Sequence, residues 1–131
     1  MVDAISNLIV QLKNASDAGK ESVIFPYSDF AFAVLVKLSE KGFVKPPVKK
    51  GKKTIKNIEV GLIYGEDKNI ARIRGVKRLS KPSKRLYKGS KEIHAIKQGY
   101  GSTIISTPKG ILSDDEARRE KMGGEVLFNI W

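Results

Sequence analysis

The side chains best equipped for chemistry fall in two stretches of the second half of the chain. The first is Lys77-Arg78-Leu79-Ser80-Lys81-Pro82-Ser83-Lys84-Arg85-Leu86-Tyr87, in which apolar Val76, Leu79 and Leu86 interrupt the charge. Arginine can hold a phosphate through two donors and lysine acts as a point charge. Clustering of Lys77, Arg78, Lys84 and Arg85 therefore points to phosphate contact, with Pro82 fixing the turn that carries them. Tyr87 has two readings, stacking on a splayed base or ribose and ordinary core packing. The second stretch runs from Gly99 to Gly110 and ends in Ser106-Thr107-Pro108-Lys109-Gly110. Its hydroxyls can donate to and accept from base edges, the 2′-hydroxyl and phosphate, and Gly110 would let the backbone approach a ligand. On physics alone the same residues suit an ordinary hairpin turn. Further on, Gly124-Glu125 sets a carboxylate beside a flexible glycine pair, where it could accept from a cytosine or guanine amino group or make a structural hydrogen bond.

Other chemistries find little support. Ser106 and Lys109 have the Ser-x-x-Lys spacing of serine acyl-enzymes, but neither Ser-Asp-Asn nor Lys-Thr-Gly occurs. The chain has no cysteine and one histidine, His94, so thiolate chemistry is absent and a zinc site has no ligand set. Asp114, Asp115 and Glu116 resemble metal ligands, yet at a helix start they are better explained by the helix dipole. Gly99-Tyr100-Gly101 lacks the third glycine of a dinucleotide loop, and no Gly-x-x-x-x-Gly-Lys is present. The expectation is a protein with no catalytic residue, metal or cofactor.

The net charge of +11 is unevenly distributed. Residues 1–40 carry three Lys/Arg against five Asp/Glu, residues 41–91 seventeen against three, and residues 92–131 five against six. A basic segment between near-neutral flanks attracts polyanions, nucleic acid first among them. An anionic membrane surface is the weaker alternative, because the basic segment has no amphipathic helix. The longest apolar run, Phe30 to Val36, is too short to span a bilayer, and no secretory leader is visible at residues 1–7. A cytoplasmic protein without membrane partners is expected.

Helical spacing of Ile5, Leu8, Ile9, Leu12 and Ala15 predicts a helix over residues 3–16, capped by Asp3. A strand over 22–26 leads through Pro26 and Ser28 into a second helix with Phe30, Val34, Leu35 and Leu38 on one stripe, ended by Gly42. A lysine-rich turn over 46–56 then joins two short strands, the second alternating at Ile58, Val60, Leu62 and Tyr64. The polar turn over 65–69 separates this from a strand over 72–79 and is the expected domain boundary. Helical interruptions are expected near His94 to Gln98 and from Ser113 to Lys121, the latter with a Ser113/Glu116 capping box and a Gly123-Gly124 stop. Val126, Phe128 and Ile130 alternate as a final strand. The fold class expected is α+β: an N-terminal α/β domain over 1–66 with two helices on a small sheet, and a β-rich domain with a short helix over 67–131.

Taken together, Lys77-Arg-Leu-Ser-Lys-Pro82, Tyr87, Gly99-Tyr-Gly101, Ser106-Thr107, Gly110, Asp115-Glu-Ala-Arg118, Gly123-Gly-Glu125 and Trp131 resemble, in order and spacing, the bacterial ribosomal protein numbered eight of the small subunit. Asp3-x-Ile5, Lys13-Asn14-Ala15 and Lys41-Gly42-Phe43 extend the resemblance over the whole chain. It implies a non-enzymatic constituent of the small subunit that binds a helix of the central domain of its rRNA, with neighbouring small-subunit proteins as further partners and its own operon messenger as a second RNA target. By position, Ser106, Thr107, Lys109 and Gly110 would enter the minor groove. Lys77, Arg78, Ser80, Lys81, Lys84, Arg85 and Tyr87 belong to the stretch that would hold backbone and sugar. Glu125 would orient the recognition loop, Gly124 beside it belongs to the same RNA-binding set, and Asp3, Lys13 and Asn14 would touch adjoining rRNA. The alternative is a non-ribosomal architectural protein that binds RNA or DNA. Departures from the family pattern are Pro108 for a serine, Ser83 for a glycine, Gln11 for an arginine, and Asp29 and Phe32 where basic or polar residues are usual.

Overall fold

The computed structural model describes residues 4–52, 55–65, 70–81, 83–96 and 101–131. By its contacts the chain divides into two units, residues 1–74 and 75–131. Both are built of helix and antiparallel sheet, so the class is α+β. The boundary expected at 65–69 falls mostly on residues outside those described. Residues just beyond it stay with the first unit: Ala71 bridges to Tyr64, and the Arg72 amide donates to the Ile63 carbonyl at 2.9 Å.

In the first unit, α1 (Ala4–Asp17) and α2 (Asp29–Glu40) pack on a sheet of strand order β1 (Ser22–Pro26), β3 (Ile55–Gly61), β2 (Val48–Lys52). The apolar stripes read from the sequence supply the core: Leu8, Leu12, Val34, Leu35 and Leu38 are buried, as are Phe25, Ile58 and Val60 of the sheet. The expected cap Asp3 lies outside the described residues. Ser28 caps α2, its Oγ accepting from the Ala31 amide at 3.0 Å. Gly42 ends that helix in the left-handed region at φ 83°, which glycine enters without a Cβ penalty. One expectation is corrected here. The lysine-rich segment is not a turn over 46–56 but a strand, with Val48–Lys52 paired to Ile55–Glu59. Lysine avoids strand interiors, yet β2 is an edge strand, where its head groups stay in water.

The second unit is a five-stranded sheet around β8 (Gly124–Ile130). One edge of β8 holds β4 (Val76–Arg78) and β5 (Tyr87–Lys88), and the other holds β6 (Ser102–Thr107), which pairs on to β7 (Gly110–Ser113). The simple alternation expected of the last strand fails at a bulge: Ile104 faces Phe128 and Ile105 faces Val126, leaving Leu127 extra. Val126, Leu127 and Phe128 are consequently all buried. The strand expected over 72–79 shortens to three residues. The helix expected near His94 is instead a 3-10 turn at Ser90–Glu92, residues 97–100 lying outside those described.

α3 (Asp114–Glu120) packs against β6 and β7 through Ala117, which joins Ile93, Ile105 and Val126 in one cluster. Its capping box is present: the Glu116 carboxylate accepts from the Ser113 amide at 3.3 Å, while buried Asp114 accepts from the Thr103 amide and pairs with Arg118 at 3.1 Å. The chain reverses after α3 at Lys121, which takes the left-handed conformation at φ 55°, and not at Gly123-Gly124 as expected. Ser113→Ala should destabilise the second unit by about 1 kcal/mol, the usual worth of an N-cap. Urea unfolding checks this, with a lower midpoint and an unchanged slope.

Candidate nucleic-acid interface

The basic stretch of residues 77–88 is folded back on itself by three local devices. Leu79 and Ser80 donate their amides to the Leu127 carbonyl. Lys81 and Lys84 exchange both backbone hydrogen bonds at 3.0 Å, which ties the two residues together as an antiparallel bridge. Ser80, only 1% exposed, then closes the loop: its Oγ accepts from the Leu86 amide at 2.9 Å and lies 3.3 Å from the Leu86 carbonyl. Ser80 is thus a buried positioning residue and presents no hydroxyl to a partner. Arg78 is half-buried, its Nε donating to the Ser80 carbonyl at 2.5 Å. What the loop presents is Lys81, Ser83, Lys84, Arg85, Leu86, Tyr87 and Lys88, all exposed, with Lys77 exposed on β4.

Tyr87 is not a core residue. Its side chain is 66% exposed on β5. It stands in register with Glu125 of β8, which stands in register with Ser106 of β6. Directly opposed residues of antiparallel strands share a face, so Tyr87, Glu125 and Ser106 form a row across the sheet. Ser106 lies within a strand; the hairpin tip beyond it is Pro108-Lys109, between the paired Thr107 and Gly110. The Thr107 hydroxyl closes that tip, donating to the Gly110 carbonyl at 2.8 Å and accepting from the Lys109 amide at 3.2 Å. Pro108 fits there without strain on the hydrogen bonding, because the first donor the turn uses belongs to Lys109. Gly110, at φ 112°, takes a conformation that side chains rarely adopt.

Gly123 and Gly124 are what allow this row to exist. A Cβ on Gly123 would stand 2.3 Å from the Lys88 carbonyl oxygen, and one on Gly124 would stand 2.1 Å from that of Ser106. Both obstacles are backbone, so neither can swing away. The glycine pair therefore sets β8 close between β5 and β6. Sequence reading offered the pair as a helix stop; its role in strand packing carried no local signal.

Charge is neutralised unevenly over the molecule. Lys13 pairs with Asp17, Lys50 with Glu59, Lys109 with Glu120 and Arg118 with Asp114. Among the described residues no ion pair engages Lys77, Lys81, Lys84 or Arg85. Lys13, which is half-buried, and exposed Asn14 lie on α1 in the first unit, while Asp3 and Pro82 are outside the described residues. No three of His, Cys, Asp and Glu converge on a metal-sized site among the described residues, and no described helix is long and apolar enough to cross a membrane. Asp114, Asp115 and Glu116 serve the helix start.

Fold and surface together define a small α+β protein with an exposed basic face. Comparison with known proteins makes this specific. The family described as ribosomal protein S8 matches residues 3–131. Relatives named small ribosomal subunit protein uS8 include those of Mycoplasmopsis agalactiae, 39% identical over 100% of this chain and 98% of its own length, and Erythrobacter litoralis, 38% identical over 100% and 98%. That of Nitratiruptor sp. is 40% identical over 98% of each. The chain belongs to the ribosomal protein S8 family: it is a structural constituent of the small ribosomal subunit and not an enzyme.

Gly124→Ala should lower stability by about 1–3 kcal/mol, the cost typical of overpacking, since its Cβ must force β8 away from β6. Thermal unfolding measures the loss. Gly65→Ala, where the nearest atom to a Cβ is the Ile70 carbonyl oxygen at 3.8 Å and φ, as at Gly124, lies outside the left-handed region, serves as the control without the clash.

Proposed function

We propose that the second unit binds small-subunit rRNA directly, at a helix of the central domain, and thereby helps that domain assemble. The observation that carries this reading is the set of exposed cations at 77, 81, 84 and 85 with no ion pair among the described residues, set beside the Tyr87–Glu125–Ser106 row. Lys77, Lys81, Lys84 and Arg85 contact phosphates. Tyr87 offers an exposed ring for a ribose or an unstacked base. The β6–β7 hairpin reaches the minor groove, which in A-form RNA is the wide groove and displays 2′-hydroxyls and base edges.

Within that hairpin the roles divide. The Thr107 hydroxyl is engaged in closing the turn, so Ser106 is the hydroxyl left to read RNA, while Lys109, whose pair with Glu120 is exposed and weak, turns to a phosphate. Glu125, beside it in register, accepts from a base amino group or holds Ser106 in place. Lys13, Asn14 and Asp3 touch adjoining rRNA, and neighbouring small-subunit proteins complete the surroundings. The same face binds the chain's own operon messenger where that RNA presents a similar irregular helix, and so represses its translation.

Filter binding against the central-domain rRNA hairpin and a length-matched unrelated hairpin, at several salt concentrations, tests the proposal. Arg85→Ala should weaken binding to both and reduce the salt slope by about one unit; an unchanged slope removes Arg85 from the phosphate contacts. Ser106→Ala should instead reduce discrimination, by about 1 kcal/mol for one lost hydrogen bond, with little change on the unrelated hairpin. Equal losses on both RNAs would take Ser106 out of base or sugar readout.

A further inference from the structure

The proposed rRNA contacts use the cations of residues 77–85, Lys13 and Lys109, and leave the lysines of residues 45–56 unexplained. Residues 45–56 hold six lysines, no arginine and no acid. The described part of this segment is the β2–β3 ribbon with β2 at the sheet edge. Lys45, Lys49, Lys50 and Lys56 are exposed, and among the described residues only Lys50 of these four has an ion-pair partner, Glu59. Their stems are nonetheless placed. The Lys45 side chain lies along β3 at Gly61, where a Cβ would come within 2.8 Å of its Cδ. Lys49 Nζ sits 5.0 Å from the centroid of Tyr27 and 4.9 Å from that of Phe32, rings that are 6.0 Å apart. Lys56 adjoins this cluster, its carbonyl accepting from the Tyr27 amide. Phe32, one of the departures from the family pattern, and Asp29, which accepts from the Tyr27 hydroxyl at 3.0 Å, both belong to this cluster.

We propose that the β2–β3 ribbon of the first unit is a second RNA-binding surface, in which Lys45, Lys49, Lys50 and Lys56 contact phosphates without reading sequence. This rests on the reading of the chain as an rRNA binder and adds a separate site to it. Phosphodiester chains are the occupant that an all-lysine ribbon fits. Lysine is depleted from protein–protein interfaces, whereas phosphate contacts draw on it freely. The exposed Lys50–Glu59 pair is no obstacle, since surface pairs are weak and a phosphate can take the place of the carboxylate. Once the second unit is bound, the covalent chain presents the ribbon to nearby RNA at high effective concentration, so a site weak by itself contributes.

The test compares two RNAs: the isolated central-domain hairpin and a longer central-domain transcript that extends beyond it. The variant Lys45→Gln/Lys49→Gln/Lys50→Gln/Lys56→Gln removes the charge and keeps a polar, slightly shorter side chain; the double variant Lys45→Gln/Lys56→Gln, which leaves the ring contacts intact, serves if the first fails to fold. On the long transcript, the fourfold variant should bind at least tenfold more weakly, with the salt slope reduced by roughly three units, at about 0.7–0.9 per phosphate contact; the double variant should lose about half as much slope. Binding to the isolated hairpin should stay within twofold. Arg85→Ala, run in parallel, should weaken binding to both RNAs. If Arg85→Ala changes neither, the rRNA-binding face is misplaced, while the ribbon still stands or falls on its own slope. Unchanged affinity and slope on the long transcript overturn the proposal and leave the lysines as guards of an exposed edge. Unchanged RNA binding with weakened uptake into reconstituted subunits would also overturn it, in favour of an acidic protein partner.

Discussion

The second unit depends on how closely β8 can be approached. Three strands share its two edges, and at Gly123-Gly124 the neighbouring backbones come so near that no side chain fits between them. This closeness fixes the register of Tyr87 and Ser106 against Glu125, and hence which side chains stand together on the outer face. A one-residue slip of β8 would turn Glu125 to the face opposite Tyr87 and Ser106. The bulge at Ile104/Ile105 works with the glycines: it absorbs the extra residue Leu127, so that the buried and the presented parts of β8 can follow different alternations.

Electrostatics shapes the molecule by omission. Several cations are neutralised by acids a turn or a strand away, as Lys13, Arg118 and Lys109 are. The loop of residues 77–88 contains no acid at all, and it is held compact by backbone and hydroxyl bonds instead. Mutual repulsion of its cations is tolerated because buried Ser80 and the bonds to Leu127 pin both ends of the turn. The repulsion that folding leaves in place gives this loop a concentrated positive potential.

Much of this was legible in the sequence where one local rule decided the outcome. Ser28, Gly42 and the Ser113/Glu116 pair mark helix ends through chemistry contained within a few residues, and the structure has them there. The stripes of α1 and α2 follow helical spacing because each helix has one face to bury. Failures cluster where a distant strand decides. Lysine-rich β2 read as a turn because its composition opposes a strand, and only the pairing with β3 overrides it. Gly123-Gly124 read as a helix stop because its neighbours, Lys88 and Ser106, are remote in sequence. Ser80 and Tyr87, seven residues apart in one basic run, differ in burial for the same reason, and composition alone could not rank them. Comparison with relatives defined the family, and the geometry then separated groups that hold the loop from groups that face outward.

The position of β8 along the chain also bears on the order of events during synthesis. It is the last of the second unit's strands to be made, yet it is the one that β4, β5 and β6 all need. Until residues 124–130 have left the ribosome, β4 and β5 have no partner in the sheet, and the row that includes Glu125 is incomplete. The first unit, with its sheet closed by residue 61, can form well before that point. A nascent chain would thus carry a folded amino-terminal unit while the sheet of its second unit was still unassembled, so the Tyr87–Glu125–Ser106 row comes together only when this segment is complete.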